Sequence, residues 1–143
     1  WSDNNGPFAG EHYQLAETLC SPPPVSRPRP RILIGGSGER KTLRLVAQYA
    51  DACNIIGTPE DVAHKVEVLH RHCADLGRDP SEVEVTAMYR DIPPGASADE
   101  VVAGAQRLAD VGVATLVTGA IGDDPAGWLE DTFGSVMDRL AEI

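Results

Sequence analysis

Apolar positions along this chain follow two rhythms, short runs and long one-sided stripes, and from Ile32 onward the two alternate. The run Ile32-Leu33-Ile34 reads as a buried strand, and Leu43, Val46, Ala47 and Ala50 then share one face of a helix predicted over 40–50. Ala52-Cys53-Asn54-Ile55-Ile56 is a second strand. After the Gly57-Thr58-Pro59 turn, a helix is predicted from Glu60 to Leu76, striped by Val62, Val66, Leu69, Cys73 and Leu76 and closed by Gly77. Val83 to Tyr89 alternates apolar and polar positions as a third strand. Ser97 and Glu100 have the spacing of a capping box and start a helix carrying Val101, Ala105, Leu108 and Ala109, which Gly112 ends. Val113 to Thr118 is the fourth strand, and Asp124 with Pro125 opens a last helix striped by Leu129, Phe133, Val136, Leu140 and Ile143.

Strand-helix units in succession predict a parallel sheet covered by helices, with function at the carboxyl ends of the strands. Two α/β architectures satisfy the pattern. One is a small open sheet; the other is half of a (β/α)8 barrel, which in full takes roughly 250 residues and eight units. A half barrel leaves both outer strands unpaired and demands a second half. The heptad-like spacing in two of the helices is too short-lived for a coiled coil. Residues 1–31 stand apart: Phe8 to Leu15 offers a turn with short extended flanks, and five prolines between Ser21 and Pro30 enforce an extended connector. The expected organisation is a surface hairpin and Pro-rich connector over 1–31, followed by the α/β unit over 32–143.

Composition narrows the partners. The chain has 143 residues, 42% hydrophobic and 24% charged, as in an ordinary globular domain or part of one. Its 22 acidic against 12 basic side chains, net charge −10, argue against nucleic acid or an anionic membrane surface as a partner. Any bound phosphate must therefore be held by a local site. No apolar stretch approaches the roughly 20 residues that span a bilayer, and Trp1-Ser2-Asp3-Asn4 lacks the basic and apolar regions of a signal peptide. Cys20, Cys53 and Cys73, an odd count at unrelated spacings, suit reduced thiols. A cytoplasmic setting is expected, and a first residue that is Trp rather than Met points to a piece of something longer.

The richest chemistry lies in Gly35-Gly36-Ser37-Gly38-Glu39-Arg40-Lys41-Thr42, where a strand breaks into glycines and opens a helix. Glycines let a backbone approach a phosphate closely, and the first helical turn aims unpaired N–H groups and the positive dipole end at the same place. Arg40, Lys41 and the Thr42 hydroxyl add charge and a hydrogen bond. Neither the Walker pattern nor the dinucleotide fingerprint is present, so an anion site and a plain tight turn both fit the residues. Asn54, near the exit of the second strand, and Arg90 with Asp91, just beyond the third, are candidates to touch substrate or cofactor. The competing reading is a turn-satisfying amide and a surface ion pair.

Other constellations read as structural. His70 and His72 sit about 200° apart on their helix and cannot share one ion there, so no metal is expected. His64 lies on the polar side of the same helix in a solvated role. Cys53 is a small core residue with no histidine near it in sequence, and Asp124 is a helix cap after Thr118-Gly119 and Gly122-Asp123. Trp128 packs in the first turn of an amphipathic helix, and Trp1 is uninformative.

One set of residues goes further. Tyr13-x-Leu15, the proline connector, and the continuous run from Pro30 through Gly35-Gly36-Ser37-Gly38, Thr42-Leu43-Arg44-Leu45-x-Ala47 and Tyr49-Ala50-Asp51-x-x-Asn54 occur together and in order. This run resembles the luciferase-like flavin and deazaflavin oxidoreductases, most closely the class dependent on coenzyme F420. The resemblance implies a (β/α)8 barrel about twice this length, of which the chain corresponds to the C-terminal half. It also implies that Gly35, Gly36, Ser37 and Gly38 contact the cofactor's phosphate, with Arg40, Lys41 and Thr42 as neighbours. The implied chemistry is hydride transfer between F420, or alternatively FMN, and a small organic substrate. Much of the ring pocket and the family's acid-base residues belong to the absent first half. A homo-oligomer, or a separate first half, is the expected protein partner; a non-catalytic half-barrel binding or assembly module is the alternative.

Overall fold

The computed structural model describes residues 5–90, 92, 95–119 and 123–143, in two compact units, 1–31 and 32–143. In the first unit, β1 (Phe8–Ala9) and β2 (Gln14–Leu15) form an antiparallel hairpin with Phe8 opposite Leu15. The Gly10 amide donates to the Tyr13 carbonyl at 2.8 Å to close the turn. No helix or strand follows until Leu33, as the run of prolines requires. Trp1 lies outside the described residues.

The second unit carries one parallel sheet of four strands in the order β3 (Leu33–Gly35), β4 (Ala52–Ile56), β5 (Glu84–Met88), β6 (Thr115–Val117). Helices α1 (Thr42–Tyr49), α2 (Pro59–Asp75) and α3 (Ala98–Ala109) connect the strands in turn. The register aligns Gly35, Asn54, Thr86 and Thr115 in one row across the sheet. Side chains alternate about it. Cys53, Ile55, Val85 and Ala87 belong to the buried core with the inner faces of all three helices, whereas Leu33, Ile56 and Val117, one residue out of phase with them in the register, are exposed.

Local chemistry fixes the boundaries. Thr58 with Asp61, and Ser97 with Glu100, close full capping boxes at the starts of α2 and α3. Asp51 sets the start of β3: its Oδ2 accepts from the Ile32 amide at 2.7 Å, while the Asp51 and Ala52 amides donate back to the Ile32 carbonyl. Arg78 finishes α1. Its guanidinium donates to the carbonyls of Ala47 at 3.0 Å and Ala50 at 2.9 Å, and pairs with Glu82 at 3.1 Å.

Three expectations are corrected. Ile32-Leu33-Ile34 is an edge strand and is not fully buried: Leu33 is 55% exposed, because nothing described pairs with or covers that side. Leu76 falls out of the α2 stripe and is exposed, since the helix ends at Asp75 and the chain turns at Gly77 with φ +65°. The last helix is not continuous. It breaks into α4 (Pro125–Trp128), a π-helical turn over Leu129–Phe133, and α5 (Met137–Leu140). The wider turn brings Trp128 and Phe133, five apart in sequence, to a ring separation of 4.9 Å, with the Gly134 amide donating to Leu129 at 2.9 Å. Only Val136 of the expected stripe is fully buried; Leu129 and Ile143 are exposed.

Candidate functional site

All four strands point their carboxyl ends the same way, and the glycine loop rises from the end of β3. The Gly36 amide donates to the Asn54 carbonyl at 3.0 Å, so the neighbouring strand carries the first bend of the loop. Gly36 sits at φ +116°, a conformation that a side chain strains. Gly38 is crowded for a different reason: a Cβ there would stand 2.9 Å from Thr42 Oγ1, which would have to shift. The Leu43 amide donates to the Gly38 carbonyl at 3.0 Å, which folds the loop onto α1.

Helix α1 begins at Lys41 with no side-chain cap and no acidic residue in its first turn. Apart from the Leu43 amide, which the Gly38 carbonyl takes, its first-turn N–H groups and positive dipole end therefore face the loop. Ser37, Gly38, Glu39, Arg40, Lys41 and Lys65 line one open depression. Glu39 is the one acidic side chain of residues 35–42. Its carboxylate is taken by Lys65 Nζ and, at 3.1 Å, by His64 Nε2. The Lys65 hydrogen bond is the chief reason that the Glu39 carboxyl is held below its usual range. His72 Nε2 meets the Glu39 carbonyl at 2.8 Å.

The sequence candidates separate into those the fold gathers and those it does not. Gly35, Gly36, Ser37, Gly38, Arg40, Lys41 and Thr42 form one continuous loop and helix start, with Asn54 beneath them through its backbone. The Asn54 side chain is engaged in the sheet: Nδ2 donates to Thr86 Oγ1 at 2.8 Å, and that hydroxyl donates to the Cys53 carbonyl at 2.9 Å. Arg90 is exposed beyond β5 and does not line the depression. Asp91 and Gly122 lie outside the described residues. Lys65, His64 and His72 were not read from the sequence as part of this loop; the available signal was the seven-residue spacing of Lys65 and His72 on one face of α2.

Cys53 and Cys73 are free and buried, and burial pushes the Cys53 thiol up to about 11, which makes it a poor nucleophile. Among the described residues, no cluster of three or more His, Cys, Asp or Glu side chains is gathered for a metal. None of the described helices is long and apolar enough to cross a membrane. A separate apolar cavity of about 400 Å³ lies among α3, β6 and the C-terminal segments, lined by Leu116, Phe133 and Leu140 among others.

Comparison with known proteins bears on the fold. An F420-dependent secondary alcohol dehydrogenase, solved with an F420-acetone adduct, superposes with TM-score 0.74 at 14% identity, covering 94% of this chain and 57% of that one. The coenzyme F420-dependent tetrahydromethanopterin reductase of Methanopyrus kandleri gives TM-score 0.63 at 15% identity, over 77% of this chain and 51% of its own. The monooxygenase RslO1 of Streptomyces bottropensis gives 0.51 at 13% identity, over 99% of this chain and 40% of its own. The chain thus spans about half the length of the first two, and its parallel sheet with alternating helices is the partial (β/α)8 barrel of that fold. No curated protein matches the sequence. The sequence model of the luciferase-like monooxygenases matches residues 1–134, and the chain belongs to that family.

Proposed function

We propose that this chain supplies the phosphate-binding part of the mouth of an F420-dependent, luciferase-like oxidoreductase, with FMN as the alternative cofactor. The observation that carries the reading is the loop Gly35–Gly38, set on a sheet edge and opening a helix whose N-terminus has neither cap nor acid. The residues suit a phosphate. Gly36 and Gly38 keep side chains out of the approach, the first-turn amides of α1 donate, and Arg40 and Lys41 supply cations around the depression. When bound, F420 or FMN supplies the hydride chemistry. This chain's own part is to bind and orient the phosphate end through Gly35, Gly36, Ser37, Gly38, Arg40, Lys41 and Thr42. Asn54 holds the base of the loop through its backbone carbonyl, and Arg90, exposed beyond β5, is offered to the small-molecule substrate.

A second reading is that the chain works as a half-barrel module whose activity depends on a partner. The exposed Leu33, Ile56 and Val117, together with edges at β3 and β6 that no other strand pairs among the described residues, support it. The partner would be a first-half segment or another copy of the chain. Three free cysteines, Cys20 exposed among them, suit a reducing cytoplasm.

Fluorescence titration of the purified chain with F420 and with FMN tests the proposal. Saturable binding of F420 supports the main reading, and saturable binding of FMN alone reassigns the cofactor. Binding of neither by a folded, size-characterised chain leaves the partner-dependent module.

A further inference from the structure

Helix α2 grips the glycine loop at a single residue. Lys65 Nζ and His64 Nε2 both meet Glu39 Oε1, and His72 Nε2 lies 2.8 Å from the Glu39 carbonyl oxygen. A carbonyl oxygen can only accept, so Nε2 of His72 carries a proton and donates; beside an ionised carboxylate the same holds for Nε2 of His64. All three contacts span at least 25 residues of sequence, so they are made by the fold and not by local turn chemistry. They act just beyond three glycines, Gly35, Gly36 and Gly38, whose backbone has the widest conformational freedom of any residue type.

The grip has an electrostatic side. Glu39 lines the same depression as Ser37, Arg40 and Lys41, so an uncompensated carboxylate there would repel an incoming anion. We infer that Lys65, His64 and His72 are positioning residues of the anion loop that act through Glu39, turning its carboxylate toward α2 and pinning its backbone so that the first-turn amides of α1 other than that of Leu43 stay open to a phosphate. This rests on the reading of the loop as a phosphate site. It adds that the affinity of the site is controlled from the neighbouring helix, by a carboxylate that itself has no part in binding.

A double-mutant cycle in the intact chain tests it, with F420 and FMN as probes. Lys65→Met should weaken binding about tenfold by freeing the Glu39 charge beside the anion. Glu39→Gln should bind within about twofold of the parent, and in the Glu39→Gln background Lys65→Met should have no further effect. Equal loss from Lys65→Met in both backgrounds would mean that Lys65 touches the phosphate itself and would overturn the inference. His72→Leu, measured without ligand, should speed amide hydrogen exchange at 38–43 while leaving the denaturation midpoint of the core in place; unchanged exchange overturns the pin. If the parent chain binds neither probe, the phosphate reading fails and takes the electrostatic half of the inference with it. The exchange measurement still decides the mechanical half.

Discussion

At the C-terminal end of α1, the carbonyls of Ala47 and Ala50 accept from the Arg78 guanidinium, whose charge also opposes the negative end of the helix dipole. At the N-terminal end, by contrast, Lys41 makes no cap, the first turn holds no acid, and the nearest carboxylate, Glu39, is held by Lys65 and His64 of α2. The neighbouring helices are closed at the corresponding place, α2 by Thr58 and Asp61 and α3 by Ser97 and Glu100. The Glu100 carboxyl is held below its usual range first by the Ser97 amide, so its contribution is complete above an ordinary glutamate pKa near 4.5 and is lost as the pH falls below that. A helix end that completes its own hydrogen bonds stabilises the fold and has nothing left for a ligand. The end that leaves donors open is the one proposed to take an anion.

The largest test of this contrast removes the finished end. Arg78→Ala strands two carbonyls and the Glu82 partner, and should cost about 2–3 kcal/mol in urea denaturation, while the affinity for cofactor stays at the parent value. If stability is unchanged, the C-terminal end does not depend on Arg78. A smaller effect is expected from Gly36→Asp. The residue sits at φ +116°, where a side chain costs on the order of 1–3 kcal/mol, and the new carboxylate faces the open donors. Denaturation should register the strain and titration the loss of binding. Gly36→Ala, which keeps the strain without the charge, separates the two.

How much of this was legible in the sequence follows from which contacts are local. The α3 capping box, the β4 boundaries and the α1 stripe were readable because Ser97 to Glu100 and Leu43 to Ala50 interact within a few residues, whereas the Thr58–Asp61 box, equally local, was passed over as a turn. The glycine loop was visible as a loop, but neither its hydrogen bond to Asn54 nor the grip on Glu39 was, since each joins elements that only the sheet brings together. Arg78 escaped for the same reason: it caps a helix about 30 residues earlier. The last helix was misread because an amphipathic stripe with a cap at Asp124 does not reveal that Trp128 and Phe133 pack at a spacing of five, or that the helix is interrupted where Gly134 follows them. Leu33 was read as buried because periodicity reports an apolar position and says nothing about whether its other face has a neighbour.

The finest test reverses the open end. Lys41→Asp puts a negative charge at the start of α1, where the dipole favours it, and removes a cation from the depression. The two consequences have opposite signs. Stability should rise by about 0.3–1 kcal/mol, the usual size of a charge-dipole gain at an exposed helix end, and affinity for the phosphate-bearing cofactor should fall. Thr58→Ala is the matched control on α2: it removes a working cap, should lower stability by about 1 kcal/mol, and should leave binding alone. A gain of stability at Lys41 without loss of affinity would mean that the open donors of α1 are not where the anion sits. A fall in both would mean that Lys41 makes a structural contribution that the contrast between the two ends of α1 leaves out.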